Sequence, residues 1–181
     1  MGVQIGAKRD SGFDDPIGML RDCHRRVEHF LNILCIVVER ARGRALSGEE
    51  AAAVHASIEY FHVGGKRHNA DEEESLFPRL RKESEYSGLE EIRGLEEDHE
   101  TADRLHAATE TLYRKWIAAG ALDEDEYRQL ESGTRSLRHL YEEHIRIEEQ
   151  VVFPRAAQLL GQDAVRTMGD EFRLRRAQEA V

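Results

Sequence analysis

One pattern occurs twice in this chain. His68-Asn69-Ala70-Asp71-Glu72-Glu73-Glu74-Ser75-Leu76-Phe77-Pro78 returns 76 residues later as His144-Ile145-Arg146-Ile147-Glu148-Glu149-Gln150-Val151-Val152-Phe153-Pro154. Both copies read His-x-x-x-Glu-Glu-x-x-[Leu/Val]-Phe-Pro. Residues four apart share one face of a helix about one turn from each other, so the imidazole and the carboxylate of each copy can share a metal. The Phe-Pro that follows offers an aromatic ring for packing and weakens or bends the helix, because proline removes a backbone donor. Upstream, Leu20-Arg21-Asp22-Cys23-His24 precedes His68 by 44 residues, and Leu95-Glu96-Glu97-Asp98-His99 precedes His144 by 45. The chain is a duplicated unit, each half carrying one lone histidine and one His-x-x-x-Glu.

A chain of 181 residues suits a single domain with a substantial core. Three prolines, and a composition rich in Glu, Arg, Leu and Ala with few strand-like runs, point to an all-α protein. The formal net charge of -10 argues against nucleic-acid binding, which needs a basic footprint, and against docking on an anionic membrane. No apolar run approaches the roughly 20 residues of a spanning helix, and Met1 to Phe13 has no signal-peptide core, so a cytoplasmic protein is expected. Cys23 and Cys35 form no metal-binding or redox motif. On one helix they would stand about 18 Å apart, too far for a mutual disulfide. They are read as structural thiols.

Residues 1–14 read as a flexible N-terminal arm, 15–160 as a bundle and 161–181 as a helical tail. Asp15 followed by Pro16 marks a helix start. The first helix then runs to about Arg42 with an inward stripe of Ile17, Leu20, His24, Val27, Leu31, Leu34 and Val38. Ser47 and Glu50 form a capping box opening the second helix, whose stripe passes Val54, Ile58, Phe61, Gly65, His68, Glu72 and Leu76. Gly64-Gly65 interrupts it just before His68, and the helix ends between Pro78 and Lys82. Ser87 with Glu90 suggests a cap for the third helix, which carries Ile92, Leu95, His99, Ala102, His106 and Trp116 and closes at Gly120. Asp123 with Glu126 caps the fourth, whose stripe is Leu130, Thr134, Leu137, Tyr141, His144, Glu148 and Val152. Four long helices with short connections predict an up-down-up-down four-helix bundle. An additional short C-terminal helix is expected over 163–178, lying across the bundle or bridging to a second chain as a homodimer.

His24, His68, Glu72, His99, His144 and Glu148 fall on the apolar stripes at corresponding levels of the four helices. Burying four imidazoles and two carboxylates without a cation would cost several kcal/mol, so a metal site is expected. With no thiolate cluster, the donor set suits iron, manganese or zinc. Two half-sites suggest two metals bridged by Glu72 and Glu148. By symmetry one takes His24 and His68, the other His99 and His144. Four further residues are weighed as additional or outer groups. His62 lies about 240° round an ideal helix from His68 and reaches the site only if the glycine pair distorts the helix. His106 lies two turns beyond His99, lining the core or an access path. Tyr141 stands one turn before His144, packing or hydrogen-bonding a bound species, and Asp103 follows His99 by one turn. Glu73 and Glu149 either point outward or hydrogen-bond the histidines, while His29, His55 and His139 read as surface or boundary residues.

The order lone His, His-x-x-x-Glu, lone His, His-x-x-x-Glu, with Glu-Glu and Phe-Pro in each doublet, resembles the hemerythrin-like (HHE cation-binding) family over roughly residues 15–160. The ferritin-like carboxylate design, which needs Glu-x-x-His on two helices, fits less well: Arg21 and Tyr141 stand three residues before His24 and His144. The resemblance implies a four-helix bundle holding two iron ions with an oxo or hydroxo bridge, with manganese or zinc as weaker alternatives. It also implies dioxygen binding and the six residues above as ligands. Respiratory hemerythrins carry His-x-x-x-His on the third helix, whereas here Asp103 follows His99. One metal would have a ligand fewer, a gap for water, Asp103 or another histidine. The implied function is binding or sensing of dioxygen, peroxide or nitric oxide in oxygen handling or stress response. The alternatives are an enzyme that activates oxygen or decomposes peroxide, and a protein of iron homeostasis.

Overall fold

The computed structural model describes residues 10–83, 85, 86 and 88–178. Helix α1 spans Pro16–Ala41; the Asp15 carboxylate accepts the backbone N–H of Gly18, and Arg42 ends the helix in the left-handed region at φ 46°. Helix α2 opens with the reciprocal Ser47/Glu50 capping box. It is α-helical over Gly48–Tyr60, Lys66–Asp71 and Phe77–Leu80, with wider π-helical turns at Phe61–Gly65 and Glu72–Leu76. Helix α3 spans Leu89–Ala119. Helix α4 runs as Glu124–Ile147, a π turn Glu148–Val152 and Phe153–Leu159, and starts with the Asp123/Glu126 capping box. Helix α5 covers Gln162–Gln178. The cap expected at Ser87 lies outside the described residues; α3 begins after Gly88 with no side-chain cap.

The expected bend at each Phe-Pro takes a specific form. Proline lacks an N–H, and its ring collides with the carbonyl four residues back in a regular helix. The chain widens the preceding turn, so that the N–H groups of Phe77 and Phe153 reach the carbonyls of Glu72 and Glu148. Both helices thereby continue past the proline. The other π turn accompanies Gly64, where a Cβ would come within 2.6 Å of the Tyr60 ring.

Helix α1 packs against α2 and α4, and α3 against α4 and α2, closing a four-helix ring of up-down-up-down order. The apolar interior forms two clusters. One gathers Val27, Leu31, Leu34, Val54, Trp116 and Leu137 toward one end. The other gathers Leu20, Leu76, Phe77, Leu95, Phe153 and Phe172 toward the other. The six stripe histidines and glutamates lie at the level between them, none more than 5% exposed.

Helix α5 lies across the bundle and belongs to the second cluster, where Met168 and Phe172 are fully buried. Its last turns clasp α2. Asp71, with no exposed surface, receives Arg175 Nη1 at 2.7 Å and Arg176 Nη2 at 2.7 Å, while Arg79 pairs with Glu171 at 2.8 Å. On its other side the backbone of Phe13 passes so close to Gly169 that a Cβ there would sit 1.9 Å from the Phe13 carbonyl oxygen. Removing one partner of a buried charged contact is costly. Asp71→Asn is therefore expected to destabilise the protein by about 2 kcal/mol, read as a shift in denaturant midpoint. It should also speed amide exchange selectively over 162–178; exchange there at the original rate would show that the clasp does not hold α5.

Candidate metal centre

Each long helix delivers its ligand-type side chains to one level because those residues continue its apolar stripe: His24 from α1, His68 and Glu72 from α2, His99 from α3, His144 and Glu148 from α4. They form two groups, His24, His68, Glu72 and Glu148, and Glu72, His99, His144 and Glu148. Within each group one ligand atom per residue lies within 4.8 Å of all the others. Glu72 spans the groups, with Oε1 3.5 Å from His68 Nε2 and Oε2 3.5 Å from His99 Nε2. Glu148 does the same through Oε2, 3.0 Å from His24 Nε2 and 3.4 Å from His144 Nε2.

The repeated pattern serves the opposite half of the molecule. His24 Nδ1 donates to Glu149 Oε1 at 3.0 Å, and His99 Nδ1 donates to Glu73 Oε1 at 2.6 Å. The aromatic residues follow the same exchange. Phe153 stacks on His24 with centroids 5.3 Å apart, and Phe77 on His99 at 6.5 Å, both with rings 12° from parallel. So in each copy the first glutamate enters the centre, the second holds the other half's lone histidine, and the phenylalanine backs that ring. A donated Nδ1–H leaves Nε2 as the ligand atom. His144 gains a similar partner in Asp98, 3.4 Å from its Nδ1.

A proton network alone does not satisfy this cluster. His24 Nε2 and all four carboxylate oxygens of Glu72 and Glu148 are buried without a hydrogen-bond partner among the described residues. The approaches of the Glu72 and Glu148 oxygens to the four Nε2 atoms are contacts without hydrogen-bond geometry. Burial and the neighbouring Glu148 push Glu72 well above the ordinary carboxylate range. Burial acts on Glu148 in the same sense, but His144 and His24 outweigh it and hold it well below. For His144, burial opposes the charge, yet Glu148 and Asp98 raise it to about 9. Burial lowers both His68 and His99. Ligand atoms about 2.0–2.2 Å from one ion stand about 3 to 4.4 Å apart around it, a range that holds the 3.0 to 3.5 Å between the glutamate oxygens and the four imidazole nitrogens. The residues fit a metal: the buried imidazole nitrogens and carboxylate oxygens are a donor set that suits iron, manganese or zinc.

The four further candidates stand outside both groups. His62 is turned to the surface, 45% exposed, and pairs with Glu110 at 2.6 Å; the π turn does not carry it inward. His106 Nε2 bonds the Tyr141 hydroxyl at 3.0 Å, and its ring lies against Phe61 with centroids 4.3 Å apart. Burial lowers His106 to about 4, so it is neutral at pH 7. Asp103, His62 and His106 line a cavity of about 230 Å³ between α2 and α3, closed behind by Ile58, Phe61 and Tyr113. None of the six centre residues is in its wall. Three contributors escape a reading of stripes alone. Asp98 sits on the polar side of α3, and Phe77 and Phe153 look like ordinary core residues; only comparison of the two halves hints at their roles.

Two comparisons bear on this geometry. The chain is 26% identical over 169 residues to an uncharacterized protein of Haemophilus influenzae, covering 91% of each chain. Residues 15–156 match the family described as the hemerythrin HHE cation binding domain. That span takes in both copies of the pattern and all six centre residues, and the chain belongs to the hemerythrin HHE cation-binding family.

Proposed function

We propose that this is a non-haem di-iron protein that binds or senses dioxygen, peroxide or nitric oxide, serving oxygen handling or the response to oxidative and nitrosative stress. The observation that carries the reading is the pair of buried two-histidine groups sharing Glu72 and Glu148. His24 and His68 would hold one ion, His99 and His144 the other, with the two glutamates between. An iron pair held this way supplies coordination positions not filled by protein atoms and two ions able to change oxidation state. The chain's own residues do the rest. Glu149, Glu73 and Asp98 fix imidazole orientation. The two apolar clusters keep bulk water away, which strengthens every charge interaction inside. The two glutamates offset charge brought in by the cations.

A second reading, an enzyme activating oxygen or decomposing peroxide, draws on the cavity beside His106 and the His106–Tyr141 hydrogen bond. The deciding experiment is metal content and visible spectrum of protein purified without oxygen, before and after exposure to air. Two irons per chain with a charge-transfer band that fades on deoxygenation are expected. Sustained catalytic consumption of oxygen or peroxide would move the assignment to the enzyme. Folded protein with no stoichiometric metal after iron loading would overturn it.

A further inference from the structure

Three of the four centre histidines have a carboxylate on Nδ1: Glu149 for His24, Glu73 for His99 and Asp98 for His144. The fourth, His68, is only 3% exposed, and its Nδ1 has no hydrogen-bond partner among the described residues. The duplication explains the difference. Asp98 immediately precedes the lone histidine His99, and the residue immediately before the other lone histidine, His24, is Cys23. By the same symmetry that pairs Glu149 with Glu73 and Phe153 with Phe77, Cys23 holds the place from which a carboxylate would reach His68. A thiol is a weak acceptor, and its Sγ is already taken by Arg26 Nη2 at 3.1 Å.

We propose that the two metal positions are inequivalent, the His24/His68 position binding its ion more weakly and exchanging it first, because Cys23 stands where Asp98 stands in the other half. This rests on the two-metal reading above. Outer carboxylates orient the imidazole and raise its basicity, and losing one costs about 10- to 100-fold in metal affinity. The remaining ligation is matched: each position has two imidazoles and shares Glu72 and Glu148. The lone histidines are equally supported. The doublet histidines differ, and the weaker position follows the unsupported one.

The surroundings of Cys23 allow a direct test. It lines a cavity of about 400 Å³ with Arg26, Arg67 and Arg176, so a carboxylate there meets cations. Stepwise dissociation constants for ferrous iron would be measured without oxygen, by competition against a chromogenic chelator. The set comprises the wild type, Cys23→Asp, Cys23→Ala and Asp98→Cys, each first checked for native helicity. In the wild type two steps at least about tenfold apart are expected. Cys23→Asp should narrow them to the statistical separation of two equal, independent sites by tightening the weaker step. Asp98→Cys should reach the same separation by weakening the tighter one, and Cys23→Ala should leave the gap as it was. His68→Ala should leave one ion bound with the tighter constant. Wild-type steps no wider apart than the statistical separation of two equal sites, a gap unmoved by both Cys23→Asp and Asp98→Cys, or a gap altered by Cys23→Ala would overturn the inference while leaving a two-metal protein. Failure of the wild type, Cys23→Asp, Cys23→Ala and Asp98→Cys alike to bind a second ion would remove the two-metal reading itself.

Discussion

Glu72→Gln is expected to lose metal from both positions at once and yet to yield a metal-free protein at least as stable as the metal-free wild type. Glu72 is the α2 carboxylate whose two oxygens face different histidines, His68 and His99. An amide keeps the shape but loses the anion and one acceptor. The loss in affinity should therefore exceed the roughly 10- to 100-fold typical of changes outside the ligand set, and should be seen at both steps. Stability moves the other way because the carboxylate is buried without hydrogen-bond partners among the described residues, and burial penalises its charge, a cost that a neutral amide does not carry. The sign with pH is fixed. Burial and Glu148 raise Glu72 in the folded state above its unfolded value. Its proton thus stabilises the fold below the unfolded value, about pH 4.5, and that contribution fades as pH rises toward the folded one. The advantage of Gln over Glu should grow between pH 5 and pH 8, read as the difference in denaturant midpoint of chelator-treated proteins. A variant that keeps either iron, or that is less stable than the wild type at pH 8 without metal, would show that Glu72 does not have this role.

Much of the molecule is legible in the sequence because two independent regularities agree. A stripe in steps of three and four places His24, Glu72 and Glu148 among leucines and valines, and the duplication places them at matching heights. The caps at Asp15, Ser47 and Asp123 fall where side-chain oxygens meet free N–H groups, a local rule that needs no tertiary information. What stayed hidden depends on residues distant in the chain. Asp71 begins an acidic run, Asp71-Glu72-Glu73-Glu74, in which the stripe and the duplication give Glu72 a role and Asp71 none. It is buried only because Arg175 and Arg176 arrive from more than 100 residues away. The π turns change the phase of α2, so an ideal-helix projection misplaces residues on either side of Phe61–Gly65. His62 illustrates the outcome: the glycine pair does distort the helix, but the side chain ends on Glu110 at the surface. The exchange of Glu73, Glu149, Phe77 and Phe153 between halves is equally invisible along one helix, since each acts across the pseudo-twofold axis.

Stripping metal from the wild type is expected to lower its thermal midpoint by more than 10 °C, the largest change of stability foreseen for this protein. The ligand layer separates two apolar clusters, one containing Trp116 and Leu137 and the other Phe77 and Phe153. Without cations that layer would hold carboxylate oxygens and two imidazole nitrogens, His24 Nε2 and His68 Nδ1, with no hydrogen-bond partner among the described residues, so the interior is divided by a polar seam. An ion bound only by the folded chain stabilises it by about 4 kcal/mol when free metal is 1,000 times Kd. For chains of this length each kcal/mol moves the midpoint by about 2 to 4 °C, so one tightly held ion is worth about 8 to 16 °C and two exceed the expected shift. The seam also affects cooperativity. Ions joined to all four helices would tie the two clusters into one unit, whereas the stripped protein would open at one end first. Calorimetry should then show a van't Hoff enthalpy that falls below the calorimetric one on chelation. Glu72→Gln separates metal effects from the chelator's own: chelation should leave its midpoint unmoved. If the wild type loses all its metal and melts at the same temperature with the same cooperativity, the layer is not a structural metal centre, and His24, His68, His99 and His144 are stabilised in the core by other means.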